Sequence, residues 1–205
     1  SDLKFDIWSH TAANATTALC EQNPELAHKI NVESTQKVID ACKRNNARLI
    51  FSGTEQSFNG KENRGPFKEE EPLNAVTVYG QNKLECEQLI QDQLEDYLIL
   101  RYSWQMGLSS DGIKASPNII QNVMKALITN TPTLFTVKHI ASQFDRILKL
   151  PSGIYHCAST NEYTTYQAAR YIAKTLNVSD EVINRIILPN NDRYSDRFRD
   201  YRLDN

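Results

Sequence analysis

Apolar positions along the chain fall into short strand-like runs separated by longer stripes at helical spacing. Residues 5–10 form a short mixed run that ends in the small residues Thr11, Ala12 and Ala13, as a strand does at its carboxyl end. Asn23 and Pro24 then open a helix, the first as its cap and the second at its first position. Leu26, Ile30, Val38, Ala41 and Cys42 supply its apolar stripe, and Lys43 and Arg44 suit its negative end. Residues 47–52 (ARLIFS) predict a buried strand. The polar stretch 58–74, with Gly60, Gly65, Pro66 and Pro72, predicts a long surface loop.

A second helix is predicted over 78–94, followed by a strand over 97–103 (YLILRYS). Helices are expected near 117–129 and 137–149, a strand over 153–158 (GIYHCA), and helices over 165–176 and 179–187, the last capped by Ser179. The charged, tyrosine-bearing tail 192–205 predicts surface structure, its arginines paired with the neighbouring aspartates. Strands alternating with helices predict a doubly wound α/β parallel sheet with a small C-terminal substrate-binding lobe. The expected division is a Rossmann-like nucleotide-binding core over 1–115 and, interleaved with it, a lobe over 116–205.

Composition narrows the function classes. Apolar residues make up 40% and charged residues 23% of the chain, ordinary for a globular protein with a real core. A net charge of −2 gives no basic surface of the kind that nucleic acid requires. No apolar run is long enough to span a bilayer, so neither a membrane nor a nucleic-acid partner is expected. Cys20, Cys42, Cys86 and Cys157 form no CxxC pair and are expected as free thiols in a cytoplasmic protein. The four histidines lack metal-ligand spacing, and Glu69, Glu70 and Glu71 read as a solvated loop, so no metal is expected.

One motif carries chemistry. Tyr79 and Lys83 stand four apart, on one face of a helix, and an ammonium there favours the phenolate, lowering the phenol pKa. Such a tyrosine serves as general acid or base in a carbonyl/alcohol interconversion. Thr54, just past the strand 47–52, offers a hydroxyl for the same oxygen, at the strand ends where parallel sheets bind ligands. Tyr and Lys are common enough that their spacing alone decides little; its context decides more.

The joint pattern resembles the extended short-chain dehydrogenases, and most of all dTDP-4-dehydrorhamnose reductase and its relatives. The matching stretches are His10 to Ala13, Cys20 to Pro24 with Ile30 to Val32, Leu49 to Gly60 (LIFSGTEQSFNG), Tyr79 to Glu87 (YGQNKLECE) and Leu100 to Trp104 (LRYSW). Pro151 to His156 and the helix opening at Thr165 resemble the substrate half. The resemblance implies an NAD(P)H-dependent reductase of a nucleotide-linked 4-keto-deoxysugar. Tyr79 would be the proton donor, Lys83 the ligand of the nicotinamide ribose, Thr54 the ligand of the substrate carbonyl, Trp104 a wall of the sugar pocket, and Ala12 and Ala13 neighbours of the cofactor, NADP or NAD. The substrate would be the nucleotide sugar, and the resemblance admits a homodimer.

Departures from the family keep alternatives open. Gly53, Glu55 and Gln56 stand where the family has Ser, Asp and Tyr. Family chains begin with a strand and a glycine-rich turn that cradles a pyrophosphate at a helix start, whereas the first glycine here is Gly53. Seven glycines among 205 residues is about half the usual share of roughly 7%. Either these residues belong to a longer protein, which the central place of a first strand favours, or the relative cannot hold a dinucleotide. A non-catalytic sugar-nucleotide-binding or regulatory subunit is therefore the rival reading, and an epimerase or dehydratase with the same Tyr–Lys pair a third.

Overall fold

The computed structural model describes residues 3–103, 144–158, 165–187 and 203–204. Its centre is a four-stranded parallel sheet, β1 (Ile7–His10), β2 (Arg48–Thr54), β3 (Tyr97–Tyr102) and β4 (Gly153–Cys157), in that spatial order. Register sets Phe51 against Ile99, Gly53 against Arg101 and Arg101 against His156. The middle strands are continuous apolar runs, as strands covered on both faces must be. Leu49, Phe51 and Ile99 face one way and Ile50, Leu98 and Leu100 the other, and all six are buried. The α/β class and the parallel sheet are thus those that the alternating pattern predicts.

Helices α1 (Thr17–Gln22), α2 (Pro24–His28), α3 (Ser34–Asn45) and α4 (Val78–Gln93) precede or join these strands. Val32, Val38, Ile39 and Cys42 meet Leu49, Phe51, Cys86, Ile90 and Ile99 in one apolar core between the sheet and α3 and α4. Each such side chain contributes about 1.5–3 kcal/mol by leaving water. Asn23 caps α2 through Leu26 N–H, with Pro24 at the first position, as predicted.

Three local expectations are corrected. The stretch predicted as one helix contains a π turn at Lys29–Glu33, and its buried row is Ala27, Asn31, Thr35, Val38 and Cys42. Leu26 and Ile30 are exposed, because the face toward α1 and α4 is built from hydrogen-bonding groups that an apolar count passes over. The tail is not all surface: Leu203 is buried and bridges Phe67 in parallel, and Asp204 N–H donates to the Phe67 carbonyl at 2.7 Å. Glu69 is not merely solvated, since its carboxylate accepts from His156 N–H at 2.9 Å.

The chain divides into two compact units, residues 1–104 with 150–160 and 199–205, and residues 105–149 with 161–198. In the second, α5 (Thr165–Thr175) and α6 (Asp180–Ile186) pack through Ala169, Ala173, Ile183 and Ile187, and Ser179 caps α6 as its sequence predicts. No helix among the described residues is long and apolar enough to cross a membrane.

Candidate active site

The site forms where the carboxyl end of β2 meets the start of α4. Thr54 is the last residue of β2, and its side chain accepts from Gln56 N–H at 3.2 Å, starting a tight 3-10 turn over Glu55–Phe58. Tyr79 is the second residue of α4, whose cap Thr77 accepts from Gly80 N–H at 3.2 Å. The Thr54 hydroxyl acts on the Tyr79 phenol in the direction that favours the phenolate. Burial outweighs it and pushes the Tyr79 phenol up to about 12. The lowering expected from Lys83 is thus not what the structure shows.

Lys83 explains why. Its ammonium donates to the Ser52 carbonyl at 2.7 Å, lies 4.4 Å from the Phe51 ring centroid, and stands 5.9 Å from that of Tyr79. At 3% exposure it is among the most buried charges of the site, and burial lowers its pKa to about 8. A lysine that loses protons more readily folded than unfolded makes the protein gain stability as pH rises from about 8 toward 10.5. Lys83→Met removes that gain. Urea unfolding at both ends of this window should show the wild type improving relative to Lys83→Met, and a pH-independent difference would refute the burial account.

Behind the phenol lies a polar layer that sequence reasoning missed. His10, 5% exposed at the end of β1, sits with Nε2 3.0 Å from the Thr35 hydroxyl, which itself donates to the Asn31 carbonyl. Nε2 therefore carries the proton. Asn31, at the π turn, accepts from Asn14 N–H at 2.7 Å and donates to the Asn14 carbonyl at 3.2 Å. Cys20 donates to that same carbonyl, and Cys86 to the Asn31 carbonyl. All four cysteines are free, three of them buried.

A buried ion pair stands one strand over. Arg101 donates to Glu87 at 2.8 Å, with both side chains at or below 2% exposure, and also to the Glu69 carbonyl at 3.1 Å. Glu87 lies one turn after Lys83 on α4, so the pair fastens that helix to β3. A Cβ on Gly53 would come within 3.0 Å of the Glu87 carboxylate and 3.1 Å of the Arg101 side chain. The small residue at 53 gives the pair its room.

Of the residues singled out from sequence, Thr54, Tyr79 and Lys83 are thus brought together. Ala12 and Ala13 follow β1 at its carboxyl end, one exposed and one half-buried. Trp104 lies outside the described residues. Among the described residues no group of His, Cys, Asp or Glu is arranged to hold a metal.

The family model described as "RmlD substrate binding domain" matches residues 1–204. The chain is 25% identical over 190 residues to spore coat polysaccharide biosynthesis protein SpsK of Bacillus subtilis, covering 87% of this chain and 64% of that one. It is 30% identical over 102 residues to dTDP-4-dehydrorhamnose reductase of Salmonella typhimurium, covering 50% of this chain and 34% of that one. It is 27% identical over 192 residues to methionine adenosyltransferase 2 subunit beta of Xenopus tropicalis, covering 86% and 56%. The chain therefore spans about a third to two thirds of the length of these relatives. The crystal structure of dTDP-4-dehydrorhamnose reductase from Bacillus anthracis in complex with NADP shares the fold, with TM-score 0.72 and 21% identity over 84% of this chain and 63% of that one. With residues 1–204 matched, the chain belongs to the RmlD substrate binding domain family.

Proposed function

We propose that the protein carrying this chain is an NAD(P)H-dependent reductase of a nucleotide-linked 4-keto-deoxysugar. The observation that carries the reading is the meeting of Thr54 at the end of β2, Tyr79 in the first turn of α4 and the buried Lys83 ammonium, 5.9 Å from the Tyr79 ring centroid. A phenol held near 12 keeps its proton at neutral pH, which is the state a proton donor needs. A carbonyl oxygen placed between the Thr54 and Tyr79 hydroxyls gains a hydrogen bond from each as negative charge develops on it. Tyr79 then delivers its proton to that oxygen.

The residues present fit the nicotinamide end of a dinucleotide. Lys83 makes one hydrogen bond among the described residues, so two of its three donors remain for a ribose diol. Small Ala12 and Ala13 at the end of β1 leave the cofactor room. When bound, the cofactor supplies the hydride. The pyrophosphate end finds no glycine-rich turn in residues 3–52. By resemblance alone, Trp104 lines the sugar pocket and residues 116–205 supply most of the substrate lobe.

Incubation of the full-length protein with dTDP-4-dehydrorhamnose and NADPH or NADH tests the reading. Loss of nicotinamide absorbance matched by formation of the reduced sugar is expected. A second reading, a non-catalytic sugar-nucleotide-binding subunit, draws on the similarity to methionine adenosyltransferase 2 subunit beta and on Gly53, Glu55 and Gln56. Thermal stabilisation by the nucleotide sugar without oxidation of either cofactor would favour it.

A further inference from the structure

Tyr79 and Thr54 belong to elements separated by a long loop, yet the Thr54 hydroxyl acts on the Tyr79 phenol. Joint action of the two hydroxyls requires the turn after β2 and the first turn of α4 to hold one separation. A single buried side chain spans that separation.

Asn59 follows the 3-10 turn and is fully buried. Its amide nitrogen donates to the Gln56 side-chain oxygen at 2.8 Å and to the Thr77 hydroxyl oxygen at 3.1 Å. Its amide oxygen accepts from Val76 N–H at 2.8 Å, which fixes which end of the amide is nitrogen. Gln56 is the residue whose N–H is held by Thr54, and Thr77 is the cap that sets where α4 begins. The bonds run in series from Thr54 to Gln56 to Asn59 to Thr77, the cap of the helix whose second residue is Tyr79.

Packing tightens the same junction. A Cβ on Gly80 would lie 3.0 Å from the Gln56 carbonyl, so the helix start rests directly on the turn. Asn74 N–H donates to the Ser57 carbonyl at 2.9 Å, and Asn74 exchanges two hydrogen bonds with Gly60. The stretch predicted as a long surface loop is pinned where its two ends meet.

We propose that Asn59 is a positioning residue that sets the separation of the Thr54 and Tyr79 hydroxyls by bridging the turn after β2 to the cap of α4. This rests on the reductase reading for its kinetic consequence, not for its structural one. Two acceptors on one amide nitrogen and a backbone donor on its oxygen leave the side chain a single orientation. The cap carries that constraint into α4, where Tyr79 is the second residue.

The test uses the full-length protein with Asn59→Ala, Asn59→Asp and Thr77→Val. Displacement of a reacting group by about 1 Å can lower turnover about 10²-fold. For Asn59→Ala, kcat with dTDP-4-dehydrorhamnose and NADPH should fall by about 10–10²-fold, with KM for NADPH little changed. Asn59→Asp should recover most of it, since one carboxylate oxygen still takes Val76 N–H and the other accepts from the Thr77 hydroxyl. If Asn59→Ala fails to fold, Thr77→Val, which removes the oxygen shared by Asn59 and Gly80 while keeping the side chain's shape, should show the same kcat loss.

A second readout needs no turnover. With carbon-13-labelled tyrosine, the Tyr79 ring signal, identified by its disappearance in Tyr79→Phe, should move in Asn59→Ala or Thr77→Val and return in Asn59→Asp. An unmoved signal, a parental kcat, a rise in KM alone, or equal losses in the Ala and Asp variants would each overturn the proposal. A parent without turnover whose Tyr79 signal still moves and returns would sink the reductase reading and leave the positioning role standing.

Discussion

Tyr79→Phe is expected to lower kcat by about 10²–10⁴-fold, the usual worth of a positioned general acid. The substitution deletes one oxygen from a half-buried ring and leaves the ring's place beside Lys83. Loss of even one hydrogen bond by the phenol oxygen costs about 0.5–1.5 kcal/mol, too little to unfold the protein. Melting temperature and NADPH affinity should therefore stay close to the parent's while the rate of nicotinamide oxidation collapses. Activity within a few-fold of the parent would remove Tyr79 from the chemistry. A collapse accompanied by lost cofactor binding would point instead to a disturbed fold.

The second large effect is on stability. In Arg101→Leu, Glu87 stays at about 1% exposure without its cation, and breaking such a buried pair costs about 3–5 kcal/mol. At about 2–4 °C per kcal/mol for a chain of this size, melting should fall by roughly 10 °C. The pH dependence follows from Glu87. Burial raises its pKa and the Arg101 contacts work against that rise, so losing Arg101 raises it further. A carboxyl that binds its proton more tightly folded than unfolded loses stability as pH rises through that range. The deficit of Arg101→Leu relative to wild type should therefore shrink toward acid pH, where Glu87 is neutral, and grow toward neutral pH. Adding Glu87→Leu should restore much of the loss by removing the orphaned charge. A double variant no better than Arg101→Leu would show that arginine packing, not charge, holds the helix.

Periodicity carried the fold a long way because the strands around Leu49 to Phe51 and Leu98 to Leu100 are unbroken apolar runs, and α4 begins and ends within a residue of its pattern. The Tyr79–Lys83 pair was legible for the same reason: helical spacing puts both on one face. Other features escaped. Helix α1 is short and carries one buried residue, Cys20, so no stripe announces it. The π turn shifts burial onto Asn31 and Thr35, whose partners Asn14 and His10 come from elsewhere in the chain. Asn59 sits in a stretch rich in polar residues and turn formers, and only its place between Gln56 and Thr77 separates it from them. Hydrogen-bond partners far apart in sequence leave no period to read.

The bridge between Phe67 and Leu203 bears on how the chain folds during synthesis. Phe67 stacks on Phe58, whose ring meets His156, and the His156 ring lies 3.2 Å from the Asp204 carbonyl and 3.5 Å from Arg101. A ribosome delivers residues in order, and domains made of contiguous sequence close as they emerge. The sheet unit here draws on three separated stretches. Its strands β1 to β3 can pair early, but the apolar lid over Phe58 and the carbonyl facing His156 arrive only once residue 204 has left the exit tunnel. Until then the Arg101–Glu87 pair is wetter than in the finished protein, and wet charges separate more readily than buried ones. Stalled nascent chains ending before residue 203 should accordingly be cut by protease near Phe67, and chains released past residue 204 should resist.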